Sequence, residues 1–385
     1  MAFDFINAEL QKKRDAGYLR RRHCVEYEKD GIICVAGEHY LNFASNDYLG
    51  MRQHPGVLQS WVEGLAQFGG GSGASPLVTG YTQAHAALEA CLEEHLQREA
   101  VLLFNSGFAA NQAICQALFH NGGNVLADKY MHASFIDGVL ASKAEFKRFR
   151  HNDLAHCEAL LSGLSGDTLI ASESIFSMDG DSAPVEGLVS QSRDSGAWLM
   201  LDDAHGFGVL GENGFGVAEH YQLTQQDLPV LMGTFGKAVG TAGAFVAGSQ
   251  AFIDYLVNHA RHYIYSTALP ASQAIATLYS LTAISTGDER KTLHENIATF
   301  RSLALAQGLQ LTESVSAIQP VMCGDPHKAL ALSEALKQRG IWVPAIRYPT
   351  VPKGADRLRI TMTAQHSARD ISVLVDALML AMEAV

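Results

Sequence analysis

Long apolar segments are missing from this sequence. No stretch offers the roughly 18 uninterrupted apolar residues that a membrane-spanning helix needs. The most apolar stretch, residues 371–385, is interrupted by Asp376 and Glu383, which predicts an amphipathic C-terminal helix. Residues 1–17 also lack the apolar segment of a secretory signal. We therefore expect a cytoplasmic protein that has no membrane partner.

Basic residues are scarce relative to acidic ones. The chain has 28 Lys and Arg against 40 Asp and Glu, which gives a net charge of −12 with histidine neutral. A generic nucleic-acid-binding protein carries the opposite bias, so no nucleic-acid partner is expected. Charged residues make up 18% and hydrophobic residues 48% of the chain. This composition excludes a disordered protein and supplies a sizeable core.

Cysteine pairs of the CxxC type and a complete P-loop are also absent. The six cysteines could form disulfides in a secreted chain, but the lack of a signal favours reduced thiols. Cys323 and His327 lie four positions apart without a second ligand pair, so no metal site is expected. The glycine-rich segment 69–73 lacks the Gly-Lys-Ser/Thr ending of a P-loop, which excludes nucleotide binding there.

Short apolar segments alternate with helical ones from about residue 51 onwards. They are rich in Val, Leu and Ile, they are apolar on both faces, and they read VLLFNS, NVLAD, TLIASES, AWLMLDDAH, LPVLMGTFG and GAFVAG. Such segments are typical of a largely parallel, buried sheet with helices on both sides. The sequence therefore predicts an α/β fold for a large domain over residues 51–275.

Two further regions flank the predicted large domain. Residues 1–50 predict an N-terminal arm, with a charged helix over 6–22 and a strand pair that turns at 29–31. A helix over 271–287 leads out of the large domain. Residues 276–385 predict a smaller α+β domain against which the arm packs, and its strands include IWVPAI as a single strand.

Lys237 ends the segment TFGK, which follows one apolar strand and precedes another. Burying a lysine as a cation between such strands is costly. One interpretation is a loop lysine that reaches solvent. The other is a Schiff-base lysine, whose chemistry requires the uncharged amine that burial favours.

Asp202 and His205 follow the apolar segment AWLM. Ligands of open α/β sheets bind at the carboxyl ends of the strands. Asp202 could simply cap the next segment. Alternatively, its carboxylate could keep the ring nitrogen of pyridoxal phosphate protonated, which makes that cofactor an electron sink. His205, three residues later, could reach the same cofactor.

The segment 105–108, Asn-Ser-Gly-Phe, joins a predicted strand to a predicted helix. Glycine at such a join lets the backbone approach a ligand, and the free N–H groups of a helix N-terminus suit a phosphate. Because strand-glycine-helix joins are common, this segment alone does not identify a cofactor.

Taken together, these segments resemble the fold-type I pyridoxal phosphate enzymes. More narrowly, they resemble the α-oxoamine synthases, which join an amino acid to an acyl-CoA with loss of carbon dioxide. The resemblance runs nearly end to end through NFASNDYLG (42–50), HASFIDG (132–138), SMDGD (177–181), DDAHGFGVLGENGFG (202–216) and TFGK (234–237). It implies a mostly parallel seven-stranded sheet in the large domain, pyridoxal 5'-phosphate as cofactor, and an acyltransferase activity.

The resemblance also assigns residues to the cofactor. Lys237 would form the Schiff base, Asp202 would pair with the ring nitrogen, and His132 would stack on the ring. His205 would bond the phenolic oxygen. Further cofactor contacts implied by the resemblance are Gly107, Phe108, Ser177 and Thr234 and, from the neighbouring chain of a homodimer, Ser266 and Thr267. Within one chain, Ser266 and Thr267 could instead cap a helix near Pro270.

Substrate carboxylates are assigned to two arginines, because guanidinium groups bind carboxylates bidentately. The resemblance places Arg359, with Asn46 and His132, at the amino-acid substrate. It places Arg20 and Thr350 at the acyl substrate. Arg20 could also be a solvated helix end. The basic residues at 12–14 and 20–22 could steer an anionic thioester.

The stretches GSGASPLVTGY, SMDGDSAP and AIRYPTVP most resemble the family branch that condenses L-alanine with a pimeloyl thioester in biotin synthesis. Whether CoA or acyl carrier protein carries the acyl group stays open. Alternatives are the branch that uses glycine and acetyl-CoA, an aminotransferase, and a non-catalytic interaction protein. The presence of Lys237, Asp202 and His132 together disfavours the last of these.

Overall fold

The computed structural model describes residues 2–385. They divide into two compact units. The first unit contains the residues up to Tyr48, Met178–Asp181 and Lys291–Val385, and the second contains Leu49–Ser177 and Ser182–Arg290.

Fourteen strands and fourteen α-helices form within the described residues. The strands are β1 (Val25–Lys29), β2 (Ile32–Val35), β3 (Glu38–Asn42), β4 (Ala100–Phe104), β5 (Asn124–Asp128), β6 (Glu145–Phe149), β7 (Thr168–Glu173), β8 (Trp198–Asp202), β9 (Val230–Thr234), β10 (Ala244–Gly248), β11 (Ile318–Met322), β12 (Ile341–Trp342), β13 (Ala345–Ile346) and β14 (Arg357–Thr361). The helices are α1 (Phe5–Asp15), α2 (Pro55–Phe68), α3 (Gln83–Leu96), α4 (Gly107–Leu118), α5 (Ala133–Leu140), α6 (Leu154–Leu161), α7 (Val185–Ser195), α8 (Val217–His220), α9 (Gln250–His259), α10 (Arg261–Ile264), α11 (Ala271–Thr286), α12 (Glu289–Ala306), α13 (Pro326–Lys337) and α14 (Ala368–Ala384).

A seven-stranded sheet forms the centre of the second unit, in the order β4-β10-β9-β8-β7-β5-β6. The neighbouring strands from β9 to β6 pair in parallel, whereas β10 pairs antiparallel with both β9 and β4. All five residues of β4, β5, β9 and β10 are buried, as expected for a sheet that helices cover on both faces. The predicted α/β fold with a mostly parallel sheet is confirmed.

Helix α11 lies in the second unit, which ends at Arg290, whereas the sequence places a domain boundary at 275/276. The helix packs along α2 and α3, and it buries a row of small side chains that includes Ala274, Thr277 and Ser280. Small residues let two helices approach closely. Gly64 of α2 illustrates this fit, since a Cβ built there would lie 2.7 Å from the Cα of Ser272.

The first unit contains two smaller sheets, with strand orders β1-β2-β3-β12 and β11-β14-β13. The prediction of IWVPAI as a single strand is wrong, because the segment divides between these sheets at Val343 and Pro344. Proline has no N–H to donate to a ladder. Its carbonyl instead accepts a hydrogen bond from the Arg359 N–H at 3.1 Å.

The predicted helix over 6–22 is also too long, because α1 ends at Asp15. Gly17 has φ +69°, and a left-handed glycine just after the last turn is a common helix ending. The Tyr18 N–H bonds back to the Lys13 carbonyl at 2.8 Å. No helix among residues 2–385 is long and apolar enough to cross a membrane.

Candidate active site

A cavity of about 340 Å³ opens at the carboxyl edge of the seven-stranded sheet. This volume lies in the range of small-molecule sites, roughly 300–1,000 Å³. Its walls come from the residues that end or follow β4, β5, β7, β8 and β9. Of the residues predicted for the site, the cavity wall contains Gly107, Phe108, His132, Asp202, His205, Thr234 and Lys237. Parallel strands bring these separate segments to one edge, where ligands of open α/β sheets bind.

Lys237 lies in the turn after β9, with its Nζ 3.0 Å from Nε2 of His205. The turn is held by backbone bonds from Gly240 N to the Lys237 carbonyl and from Thr241 N to the Phe235 carbonyl, each 2.9 Å. His205 is 6% exposed and follows β8. Two neighbouring strand ends therefore bring an amine and an imidazole into contact in the cavity wall.

Asp202, the last residue of β8, has a donor on each carboxylate oxygen. Oδ1 accepts the Ala204 N–H at 3.0 Å, and Oδ2 accepts from Nδ2 of Asn111 at 2.9 Å. Asn111 Nδ2 also donates to Ser134 Oγ at 3.0 Å. The same Ser134 Oγ lies 2.7 Å from His132 Nδ1. A hydrogen-bonded chain thus fixes the orientation of both Asp202 and His132.

His132 is held in its neutral form. Burial lowers the pKa of its imidazole, nearby Asp202 raises it, and Lys237 lowers it again. Nδ1 accepts the backbone N–H of Ser134 at 3.2 Å, which requires that nitrogen to be unprotonated. A neutral imidazole can lie flat against an aromatic ring without adding a cation to the cavity.

The start of α4, in the cavity wall, is suited to an anion. Ser106 caps α4 by accepting the Ala109 N–H at 3.2 Å, and the next residue, Gly107, opens the helix. A Cβ at Gly107 would lie 2.7 Å from Cγ2 of Thr234, so this close approach requires glycine. The N-terminus of α4 attracts anions through its free N–H groups and its dipole.

Three polar atoms in the cavity wall are buried without a hydrogen-bond partner. They are Asn111 Oδ1, Glu173 Oε1 and Thr234 Oγ1. Buried polar groups in folded proteins are nearly always paired, so a group of unpaired ones around one cavity indicates a polar ligand. The lysine, carboxylate, imidazole and anion-binding helix end fit pyridoxal phosphate, which offers an aldehyde, a pyridine nitrogen, a flat ring and a phosphate.

Apart from His132, which lines the cavity of the second unit, the residues predicted for substrates lie in the first unit and form two pairs. Nη1 of Arg359 donates to Asn46 Oδ1 at 3.1 Å and to Thr361 Oγ1 at 3.0 Å, and Arg359 is 5% exposed. Nη2 of Arg20 donates to Thr350 Oγ1 at 2.9 Å. Residues more than 300 positions apart in sequence therefore meet in each of these pairs.

Comparisons with known proteins decide the family. The family model described as aminotransferase class I and II matches residues 38–378. An 8-amino-7-oxononanoate synthase of Pseudomonas syringae pv. syringae (strain B728a) is 45% identical over 379 residues, covering 98% of this chain and 96% of the relative. The chain belongs to the 8-amino-7-oxononanoate synthase family.

Solved structures agree with membership of this family. A serine palmitoyltransferase structure with a PLP internal aldimine superposes with a TM-score of 0.93 at 31% identity and covers 99% of this chain and 98% of its own. An 8-amino-7-oxononanoate synthase from Francisella tularensis has a TM-score of 0.78 at 29% identity. The match covers 90% of this chain and 99% of the Francisella chain. The family and the fold type predicted from the motifs are confirmed.

Ser177, Ser266 and Thr267 do not line the cavity of this family member as a single chain. The Ser177 N–H donates to Glu173 Oε2 at 3.3 Å. The Thr267 carbonyl accepts from Nδ2 of Asn105, a cavity residue, at 2.6 Å. Helix α11 has Pro270 as its N-cap and no side-chain cap bond, so neither hydroxyl caps it.

Asn111 and Glu173 are two of the cavity residues that the sequence-based set lacks. Asn111 lies one turn after Gly107 on α4, and Glu173 is the last residue of β7. The position of Glu173 carries a usable signal, since it is a charged residue that ends an apolar segment in the same way as Asp202. Asn111 carries no comparable signal, because a lone asparagine within a helix more often faces solvent.

Asp203 does not line the cavity, but it stabilises the segment that follows β8. It is fully buried, its Oδ2 accepts the Val217 N–H at 2.8 Å, and its Oδ1 accepts from the Ser174 hydroxyl. Burial raises the pKa of Asp203 to about 7. These bonds hold the glycine-rich segment after β8, and so they fix the position of His205.

Proposed function

We propose that this chain catalyses the reaction for which its family is named. L-Alanine and a pimeloyl thioester would condense to 8-amino-7-oxononanoate, carbon dioxide and the free thiol. The observation that carries the proposal is the joint placement of Lys237 and Asp202 on neighbouring strand ends of one cavity. Near-full-length identity of 45% to an 8-amino-7-oxononanoate synthase supports the choice of reaction.

Pyridoxal phosphate is the proposed cofactor, held by residues of the second unit. Lys237 would bind it covalently, Asp202 would face the pyridine nitrogen, and His132 would cover the ring. Gly107 and Thr234 would hold the phosphate at the start of α4. When bound, the cofactor supplies an electron sink for a carbanion at the amino-acid α-carbon.

Lys237 is the proposed proton carrier. Its Nζ takes the α-proton of alanine and later returns a proton to the product, which is general acid–base work. His205, at 3.0 Å from that nitrogen, orients the amine. Asp202 is kept in place by Asn111 and the Ala204 N–H, and this placement costs no reorganisation during the reaction.

Two carboxylate sites are proposed in the first unit. Arg359 with Asn46 would bind the carboxylate of alanine, and Arg20 with Thr350 would bind the distal carboxylate of the pimeloyl group. In each pair the guanidinium already donates to the neutral partner, which fixes its orientation. A guanidinium group suits this role because its planar set of N–H donors matches the geometry of a carboxylate.

The acyl carrier is proposed to meet a basic surface on α1. Lys12, Lys13 and Arg14 are exposed in the last turn of this helix, in a chain of net charge −12. A local positive patch on an acidic protein steers anionic partners. Both CoA and an acyl carrier protein are such partners.

A homodimer is the proposed working unit. Thr267 is exposed and caps no helix, while the neighbouring Tyr265 is 71% exposed and Val78 is 73% exposed. Exposed large apolar side chains suit an isologous contact with a second copy. Ser266 and Thr267 would then reach the phosphate held by the partner.

The amino-acid substrate can be tested by titration of the cofactor-loaded enzyme. L-Alanine should change the absorption spectrum of the bound cofactor at concentrations at least about tenfold lower than glycine, because one methyl group accommodated by a site is worth about tenfold or more in discrimination. D-Alanine serves as the matched control. If glycine acts at the lower concentration, the glycine-using branch of the family is the better assignment.

A further inference from the structure

Glu173 occupies an unusual position in the cavity. It ends β7 and pairs in register with Asp202, the last residue of β8, so two carboxyl groups lie on adjacent strands at the same level. Glu173 is 3% exposed and lines the cavity. Its Oε2 accepts the Ser177 N–H at 3.3 Å, while its Oε1 is buried without a partner.

The surroundings of Glu173 disfavour a second negative charge. An ionised carboxylate taken out of water is costly unless it is paired. Asp202 and Asp128 oppose a negative charge on Glu173, whereas Lys237 and the Ser177 N–H favour it. Burial, reinforced by Asp202, raises the pKa of Glu173 well above its usual range. Two carboxyl groups with such different surroundings commonly divide into one neutral acid and one carboxylate.

A neutral carboxylic acid has a hydroxyl to donate, which a carboxylate lacks. We propose that Glu173 is a neutral acid whose Oε1 hydroxyl donates a hydrogen bond to the cofactor in this cavity. This inference rests on the proposed function, since it takes pyridoxal phosphate as the ligand. Glu173 adds a donor for one of the cofactor oxygens, and Asp202 remains the one carboxylate that serves the ring nitrogen.

Substitution by glutamine and leucine distinguishes a neutral donor from a carboxylate. Glu173→Gln keeps the shape and supplies an N–H donor without charge, whereas Glu173→Leu keeps a similar volume without a donor. The dissociation constant of pyridoxal phosphate from the full-length enzyme should change less than about twofold for Gln. It should rise about fivefold to tenfold for Leu, the worth of one neutral hydrogen bond. Glu186→Gln on the exposed face of α7 controls for the loss of a carboxyl group elsewhere.

Infrared difference spectroscopy gives a second readout that does not depend on the leucine variant folding. At pH 7 the cofactor-loaded enzyme minus Glu173→Gln should show the carbonyl band of a protonated carboxylic acid. The Glu186→Gln difference should show only carboxylate bands. A missing acid band, or a Gln variant that binds the cofactor as weakly as the Leu variant, overturns the inference and leaves the proposed function intact. A wild-type enzyme that binds no pyridoxal phosphate overturns the proposed function itself.

Discussion

At the residue scale, the hydrogen bonds that position Asp202 can be separated from its negative charge by substitution with asparagine. In Asp202→Asn, the side-chain oxygen can keep the Ala204 N–H bond and the new amide group can face Asn111. Asn111 can turn its own amide, because its Oδ1 is without a partner. The variant should therefore fold and bind the cofactor, but its turnover should fall on the order of a hundredfold or more because the negative charge is lost. Bound cofactor is measured by absorbance and turnover by thiol release.

The matched control for that variant is Asp194→Asn, which removes a carboxylate from the exposed end of α7. Its turnover should equal that of the wild type. Near-normal turnover of a cofactor-loaded Asp202→Asn enzyme would mean that Asp202 only caps the segment that follows β8.

Lys237→Ala should abolish the covalent bond to the cofactor and lower turnover by about a thousandfold or more, since both the nucleophile and the proton carrier are lost. The bond is measured by borohydride reduction of the wild type, digestion and peptide mass mapping. The labelled peptide should contain Lys237. Lys129→Ala, an exposed lysine after β5, should retain the label, and a label on any other lysine contradicts the assignment.

Residue-scale reasoning from sequence succeeds where a side chain follows an apolar strand or lies in a dense motif. Asp202, His205 and Lys237 are of this kind, and the structure brings all of them to one cavity. Asn111 could not be found in this way, because its role depends on α4 packing against α5. The neutral form proposed for Glu173 also depends on burial beside Asp202, which a sequence does not show.

At the element scale, the segment between β8 and α8 is held by Asp203 and by close glycine contacts. Gly216 has φ +84° and ψ −157°, a conformation almost restricted to glycine. A Cβ there would lie 1.9 Å from Oδ2 of Asp203, so an alanine must displace the carboxyl group from Val217. Gly216→Ala should lower the free energy of unfolding by about 2–4 kcal/mol, measured by chemical denaturation.

Gly196→Ala is the matched control for backbone strain. Gly196 has φ +73° with no atom within 4 Å of the added Cβ, so alanine there should cost only about 1–2 kcal/mol. If both variants lose the same stability, the contact with Asp203 contributes nothing and the segment is held by other bonds.

Secondary structure in the large sheet could be predicted from sequence because each strand is buried on both faces and reads as a short apolar segment. β5, for example, has the bounds of NVLAD. The first unit was harder to predict. Its β12 and β13 contain two residues each, and such short strands are set by the sheet that receives them rather than by their own pattern. Gly17, which follows α1, is a typical helix-ending residue, and the predicted helix wrongly continued beyond it.

At the scale of the whole molecule, distant parts of the chain form each compact unit. Met178–Asp181 belongs to the first unit, where Asp179 pairs with Arg357 at 2.6 Å. A Cβ at Gly180 would lie 2.3 Å from the Ile318 carbonyl. The motif SMDGD is therefore divided between the units: Ser177 belongs to the second unit, and Met178–Asp181 belong to the first. No local sequence pattern predicts this division.

Mixing inactive chains tests the proposed homodimer. One chain carries Lys237→Ala, and the other carries Thr267→Phe. If Thr267 serves the site of its partner, a mixed dimer has one site with both lesions and one site with neither. Turnover should then return to about half the wild-type value per mixed dimer, because each site of a twofold dimer uses both chains.

Native mass spectrometry of the mixture confirms that mixed dimers form. Thr267→Phe mixed with wild type controls for the stability of the bulky variant within a dimer. If mixed dimers form and no activity returns, Thr267 acts within its own chain and the shared site is disproved. An active enzyme that sediments as a monomer disproves the dimer as well.

The reaction itself is tested most directly by identifying the product. Cofactor-loaded enzyme is incubated with L-alanine and pimeloyl-CoA, and separately with glycine and acetyl-CoA, and the products are measured by mass spectrometry. Our account predicts 8-amino-7-oxononanoate with one carbon dioxide and one free thiol per turnover from the first mixture, and little product from the second. Product formed chiefly from glycine and acetyl-CoA, or amino transfer without release of carbon dioxide, would contradict it.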